Sequence, residues 1–446
     1  MVEPFHNTIQ SVAMDPPVAM TPAPRGMRSL VWATWSLFAG LFLLLMGGGM
    51  IATLIGVRAE YDGFADIQIG AIVAAYYAGF LVGSRITLSQ LGTVGHIRVY
   101  AAFASVLAAT IVAAGLKADP YIWMALRFAM GACFAGQYVV AESWLNELAS
   151  NEIRGRILSW YNLTTVVAYG VGQFWFTRLD PREITGFAIS SILISLAIAP
   201  VALSEDAAPP MIVEPERMTL RELFQHAPTG MLTCLMVGVT HGAFLGLGAV
   251  YATKLGLTLS EIGLFVSIPT IGVILMSVPI SAASDDIDRR AVGALAALTA
   301  AAAASGLFFF DPDSWQGLLC VIVIGGTTYP LYSIAGAYAN DWLPADRITA
   351  AAGQLILMYG LGAMVGPLIG SAAMSRLGTD GFVWTTVVFH VAIAVFLVIR
   401  MFQYRQPLRA KPWSEVALAG RVFYVPVTVV GMGRRLLARR RDALDS

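Results

Sequence analysis

Twelve stretches of this chain are each apolar over the length a helix needs to cross a bilayer. They run over 31–57, 67–86, 98–116, 121–147, 157–177, 184–203, 228–252, 261–283, 291–310, 315–341, 349–374 and 382–401. A hydrocarbon core takes about 20 residues of helix. Inside it no water satisfies the backbone, so each stretch must close its own N–H and C=O bonds, as a helix does. The sequence therefore predicts an all-alpha polytopic membrane protein with twelve transmembrane helices in two six-helix bundles. Composition excludes the main alternatives. Hydrophobic residues make up 57% of the 446 and charged residues 13%, against about 45–50% and about 25% in a soluble domain. A soluble enzyme, a disordered scaffold and a basic nucleic-acid binder do not have this balance. The formal net charge is zero, so overall charge points to no nucleic-acid partner. Cys133, Cys234 and Cys320 all lie in apolar runs, with neither a disulfide framework nor metal-ligand spacing. No cofactor is expected.

The longest internal connection, 204–227, divides six spans from six. It carries Ala207-Ala208-Pro209-Pro210 and then Glu214-Pro215-Glu216-Arg217, the composition of a linker. The expected organisation is an N-terminal tail (1–30), a bundle (31–203), the linker (204–227), a second bundle (228–401) and a basic C-terminal tail (402–446). The first span is too long, and too far from Met1, for a cleaved signal peptide. The tail before it holds Pro16-Pro17, Pro22 and Pro24 and is expected to be disordered.

Lysines and arginines set the orientation, because they favour the cytoplasmic side. With the N-terminus inside, 21 of the 28 fall inside. They include Arg25, Arg28, Arg85, Arg98, Arg154, Arg156, Arg289, Arg290 and Arg347, and ten from Arg400 to Arg441. Arg58, Lys117, Arg178, Arg182, Lys254 and Arg376 fall outside, and Arg127 lies within a span. Both termini are then cytoplasmic. A thirteenth span over 415–432 would put the following arginine run outside, so that segment is expected on the inner membrane face, its arginines on anionic lipid.

The two halves echo each other at an offset of 193–198 residues. Asp66-Ile67-Gln68-Ile69-Gly70 precedes span 2, as Leu259-Ser260-Glu261-Ile262-Gly263 precedes span 8. Asp66 and Ser260 are the expected N-caps. Glu142-Ser143-Trp144-Leu145 ends span 4, as Asn340-Asp341-Trp342-Leu343 ends span 10. Gly170-Val171-Gly172-Gln173 lies in span 5, and Gly362, Gly366 and Pro367 in span 11. A duplication of six spans is expected of a transporter that rocks one bundle against the other.

The 6+6 arrangement and the loop Ser281-Ala282-Ala283-Ser284-Asp285-Asp286-Ile287-Asp288-Arg289-Arg290 resemble the major facilitator superfamily and its signature between spans 8 and 9. Gly95-His96-Ile97-Arg98, Glu142-Ser143-Trp144-Leu145, Arg154-Gly155-Arg156 and Tyr329-Pro330-Leu331-Tyr332-Ser333 resemble the bacterial YcaD-like subfamily. The resemblance covers roughly 31–401. It implies the major facilitator fold, a bacterial inner membrane, a small-molecule substrate and a chain that works as a monomer. It also implies that Asp285, Arg289 and Arg290 form an inner latch. The first-half counterpart departs from the pattern: Leu88, Gly92 and Thr93 stand where the signature has Gly, Asp and Arg, leaving His96 and Arg98 as its polar elements.

Arg127 is the one Lys or Arg deep in a span. A charge there is costly and faces a cavity or a partner. With Gly131 and Gly136 it resembles the family's span-4 motif, whose arginine is linked to substrate or proton coupling. The bland reading is a bond to backbone carbonyls. Glu142 is a candidate inner gate or proton carrier, free to pair with Arg154 or Arg156, and Asp341 with Arg347 forms the matching pair. His241 is a candidate cavity residue, and His390 a weaker one. Tyr76, Tyr77, Gln137, Tyr138, Tyr169, Gln173, Phe244, Tyr329, Tyr332, Gln354 and Tyr359 are candidate cavity lining, since solute sites combine broad apolar faces with polar tips. Gly47, Gly48, Gly49, Pro330, Gly366 and Pro367 are candidate hinges.

These features point to a secondary transporter that moves a small solute by alternating access, coupled to protons. No nucleotide-binding loop is present. Scarce mid-span charge favours export of a neutral or cationic amphiphile. Uptake or facilitated diffusion of a neutral metabolite is the alternative, and a non-transporting sensor with a transporter fold is another. A membrane enzyme would need clustered catalytic groups that His241 and His390 do not supply.

Overall fold

The computed structural model describes residues 27–148, 154–203, 218–344 and 347–403. The two tails, most of the linker and the side chains of Arg154 and Arg156 lie outside the described residues. The first half comprises α1 (Met27–Tyr61), α2 (Asp66–Val94), α3 (His96–Leu116), α4 (Pro120–Leu148), α5 (Arg154–Trp175), a 3-10 turn (Phe176–Arg178), α6 (Thr185–Leu196) and α7 (Ile198–Ala202). A short helix, α8 (Leu220–His226), occupies the end of the linker. The second half comprises α9 (Pro228–Lys254), α10 (Leu259–Ser267), α11 (Pro269–Asp286), α12 (Arg289–Gly306), α13 (Trp315–Asn340), α14 (Ile348–Leu377) and α15 (Asp380–Gln403).

Every predicted span is helical. Among the described residues ten segments are long and apolar enough to cross a membrane, with α6–α7 and α10–α11 each forming one of them. The two outside that set are α5, with its polar Asn162, Thr164, Thr165 and Gln173, and α12, a short alanine-rich helix. The protein is an all-alpha polytopic membrane protein. Its helices carry large apolar side chains outward, and Tyr121, Phe309 and Trp315 stand exposed at the α3–α4 and α12–α13 connections, the place of an interfacial aromatic belt.

Local chemistry sets the helix ends. Thr258 caps α10 by accepting from Glu261 N while Glu261 bonds back to Thr258 N, and Thr219 with Glu222 does the same for α8. The expected caps Asp66 and Ser260 are therefore corrected. Ala65 precedes α2, and Thr258 caps α10. Asp66 is the first residue of its helix, so its carboxylate is turned to a tertiary partner.

The sequence repeat reappears as a packing repeat. In the first half α1 packs on α5, α2 on α4, and α3 on α4 and α6; in the second, α9 packs on α14, α11 on α13, and α12 on α13 and α15. Gly47, Gly48 and Gly49 show how one helix meets three neighbours. Successive residues turn by about 100°. A Cβ at Gly47 would press on Ser190 O of α6, at Gly48 on the Phe134 ring of α4, and at Gly49 on Tyr169 O of α5. Small residues allow such approaches where lipid supplies no hydrophobic drive. These glycines lie in an unbroken helix, as do Pro330 in α13 and Gly366 and Pro367 in α14. None of the expected hinges is a break. The break in the second half falls at Ile268, before Pro269, where the proline cannot donate to the preceding turn.

The halves meet through α2 on α14, α1 on α9, and α5 with its 3-10 turn on α10. The contacts concentrate at the end that carries the α1–α2 and α9–α10 turns: Gly56 approaches Val250, Gly70 approaches Ser371, and Gly263 approaches Thr177. The buried core follows the same line. Phe244, Val250, Tyr251, Phe265 and Phe382 of the second half belong to the first half's core, whereas Leu223, Cys234, Leu331, Leu355 and Leu397 form a separate cluster.

Candidate functional site

Between the halves lies a cluster of tyrosines. In the first half, α4 places Arg127, only 6% exposed, with its guanidinium over the Tyr76 ring at 4.5 Å. Tyr77 follows on α2, edge-on to Tyr76 at 5.5 Å. Tyr169 of α5 interacts electrostatically with Arg127, Tyr76 and Tyr77. In the second half, α9 places His241 4.6 Å from the Tyr329 ring of α13. Tyr359 of α14 shares a 3.1 Å hydrogen bond with His241 Nδ1, and Tyr332 packs edge-on against Tyr359 at 5.1 Å. Tyr169 and Tyr329 interact with Tyr77, which joins the two sets. Arg127, His241, Tyr76, Tyr77, Tyr169, Tyr329, Tyr332 and Tyr359 are thus brought together. Chemically the cluster offers one fixed cation, a histidine held by a phenol, and flat ring faces.

Other expected lining residues stand elsewhere. Gln137 is fully buried and donates to Tyr100 O of α3 at 2.8 Å. Gln354 donates to Met218 O at 2.8 Å, pinning the linker to α14. Gln173 lies beside Gly263, where the halves touch. Phe244 stacks on Phe382 at 5.6 Å within the core. Tyr138 continues the aromatic run beyond Phe80 at 6.1 Å. Glu142 accepts from Tyr161 Oη at 3.3 Å. His390 is a packing residue: its Nδ1 donates to Thr386 O at 2.7 Å, so its Nε2 accepts from Thr328 Oγ1 at 2.8 Å.

The expected latch residues form a network inside the second half. Arg289 lies at the start of α12, its side chain 2% exposed. It pairs with Asp285 of α11 at 3.1 Å and with Asp341 of α13 at 2.8 Å, and donates to Ser284 O at 3.3 Å. Arg290 pairs with Asp288 at 2.8 Å and donates to Arg400 O of α15 at 2.8 Å. Arg400 in turn donates to Thr229 Oγ1 of α9 at 2.7 Å. Asp341 therefore holds Arg289, a pairing across two helices. Arg347 lies near Glu222 of α8, whose carboxyl is held below its usual range first by the Thr219 amide and also by Arg347. In the first half His96 is buried, bonded to Ser143 Oγ at 3.1 Å and set against Trp144, while Arg98 is exposed.

The opposite end carries an ion cluster that the sequence does not single out. Lys254, last residue of α9, bridges Glu60 of α1 at 3.2 Å and Asp66 of α2 at 3.0 Å, and so ties one half to the other. Beside it Arg58 pairs with Asp62 at 2.6 Å and donates to the carbonyls of Pro181 and Arg182. The available signal was three charges of both signs at turns expected to lie together; which would pair depends on non-local packing.

The sequence profile of the Major Facilitator Superfamily matches residues 37–260 and 231–441. The uncharacterized MFS-type transporter YcaD of Escherichia fergusonii is 26% identical over 345 residues, covering 74% of this chain and 86% of that protein. The crystal structure of the nucleoside transporter NupG superposes with a TM-score of 0.69 at 12% identity, over 84% of this chain and 100% of that one. A D-xylose-proton symporter gives a TM-score of 0.62 at 14% identity, over 85% and 98%. Such identities show a shared fold alone. A profile that matches once over each half, on a fold that packs each half alike, leaves one assignment: the chain belongs to the Major Facilitator Superfamily and is a membrane transporter, not an enzyme.

Proposed function

We propose that this is a proton-coupled secondary transporter that crosses the bacterial inner membrane twelve times, as two six-helix bundles over 31–203 and 228–401. The linker 204–227 and both termini are cytoplasmic, and the monomer is the working unit. α5 and α12 are the eleventh and twelfth crossings. Each is flanked by membrane-length helices of its own half, which shelter its polar or small side chains.

The observation that carries the reading is the tyrosine cluster held between two halves of the same internal packing. A solute bound there touches α2, α4 and α5 on one side and α9, α13 and α14 on the other. Rocking the halves would expose it to each face in turn. By the distribution of Lys and Arg, the Lys254 end faces outward. The contacts there support an outer gate that is shut, with Lys254, Glu60 and Asp66 as its ionic part. Arg127, Glu142 and His241 are the residues we assign to substrate or proton coupling. The Asp285–Arg289–Asp341 network fixes the inner end of the second bundle.

The test is transport in sealed vesicles holding the purified chain. Labelled metabolites and amphiphiles are screened with and without an imposed proton gradient. The expected result is a flux that collapses with an uncoupler and is lost in Arg127→Ala at equal protein content. A flux indifferent to both proton and sodium gradients refutes coupling and leaves facilitated diffusion. Full activity in Arg127→Ala removes that residue from the site.

A further inference from the structure

Arg127 is a buried cation, and no anion meets it among the described residues. Among the described residues it makes no hydrogen bond or ion pair, and its Nε is sealed from solvent without an acceptor. Its close contact is the face of Tyr76. Along α4 the flanking acids are Asp119, about 12 Å of helix away and accepting from the Tyr121 and Ile122 amides, and Glu142, about 22 Å away and bonded to Tyr161. Within α2 the acid is Asp66, and it is held by Lys254 at the far end. A cation–π contact offsets only a fraction of what an isolated buried charge costs. The site is therefore electrostatically incomplete until a partner arrives.

One guanidinium balances one negative charge. A phosphate monoester carries nearly two near neutrality and would leave one uncompensated. A carboxylate carries one and matches the planar fork of the guanidinium. That fork lies over the Tyr76 ring and interacts with Tyr169 and Tyr77, and Tyr329 with His241 stands across the cluster. Resting on the transport-site reading above, we propose that the solute is a monocarboxylate with a flat apolar body, its carboxylate on Arg127 and its body among the tyrosines. Counting charges in the sequence favours a neutral or cationic solute. The position of the lone charge favours the opposite sign, because an amine brought beside Arg127 is repelled.

The probes are matched in shape and differ in charge: benzoate and 2-naphthoate, benzamide, and benzylamine. Thermal unfolding of the purified full chain reads binding. Both carboxylates are expected to raise the melting temperature, and the amide and amine to leave it unchanged. Arg127→Gln should abolish the carboxylate shift, and Arg127→Lys should keep a reduced one. Without ligand, Arg127→Gln should melt no lower than the parent, since it removes an uncompensated charge. The proposal is overturned if neither carboxylate binds, if benzylamine binds, if carboxylates bind Arg127→Gln equally, or if ligand-free Arg127→Gln melts well below the parent. Carboxylate binding to Arg127 with no protein-dependent flux in vesicles, driven or passive, would instead sink the transport reading and leave the charge assignment standing.

Discussion

Replacing Lys254 with Met should loosen the contact between the two halves by a measurable amount. Methionine keeps most of the stem and removes the ammonium, so the change isolates charge from packing. Lys254 stands 3.2 Å from Glu60 and 3.0 Å from Asp66, with side chains 24%, 22% and 14% exposed. In water each pair would be worth about 1.3–1.4 kcal/mol of bare Coulomb energy. Side-chain ordering and solvent screening bring such partly exposed pairs down to about 0.2–1 kcal/mol each. Two together then give about 0.4–2 kcal/mol, which multiplies the ratio of separated to closed forms by about 2–30. The apolar contacts at the same end remain, so the gate is biased rather than abolished. Nitroxide labels in place of Leu116 and Phe309, both highly exposed at this end and on opposite halves, report the separation. Cys133, Cys234 and Cys320 are changed to serine first. The Lys254→Met chain should show a larger long-distance population at low salt, and the difference should shrink as salt screens the parent's pairs. An unchanged distance distribution at low salt would refute the latch.

Removing Arg289 alone should be severe, because it leaves Asp341, 8% exposed, without its cation; breaking a buried pair costs about 3–5 kcal/mol. Arg289→Met should lower thermal stability strongly, and Arg289→Met with Asp341→Asn should recover much of the loss; equal damage in both would remove the pair from the account. The linker helix should respond to acid. Glu222 has its carboxyl pKa depressed chiefly by the Thr219 amide, so its contribution is present above the unfolded value and is lost as pH falls through the folded one. Amide exchange at Thr219 and Glu222, corrected for intrinsic rates, should speed up over that interval in the parent but not in Glu222→Gln.

The spans were legible because membrane thickness imposes a length on every one of them, and the repeat because its landmarks keep their spacing. What sequence spacing does not carry is which side chains meet across helices. Asp285 and Arg289 are neighbours in the chain, and spacing joins them; Asp341 is fifty-two positions from Arg289, and spacing does not join those two. The tyrosines were readable as polar-tipped aromatics, but Gln137 and Gln354 were not separable from them, since an amide that lines a cavity and one that ties two helices look alike in sequence. Glycines and prolines suggest flexibility in a sequence, but most act here as shape, letting helices touch; the helix break at Ile268 is marked in the sequence by Pro269. Sequence places Lys254 among the outer charges and no further, because its partners lie in the other half of the chain.

The chain of bonds from Asp285 and Asp341 through Arg289, and from Arg290 through Arg400 to Thr229, joins α11, α13, α12, α15 and α9 at one end. At the same end of the first half His96 bonds Ser143 and Glu142 accepts from Tyr161. The mechanical result in the second half is a braced frame: torque applied at the centre passes through five helices tied at one end, so that they turn as one piece.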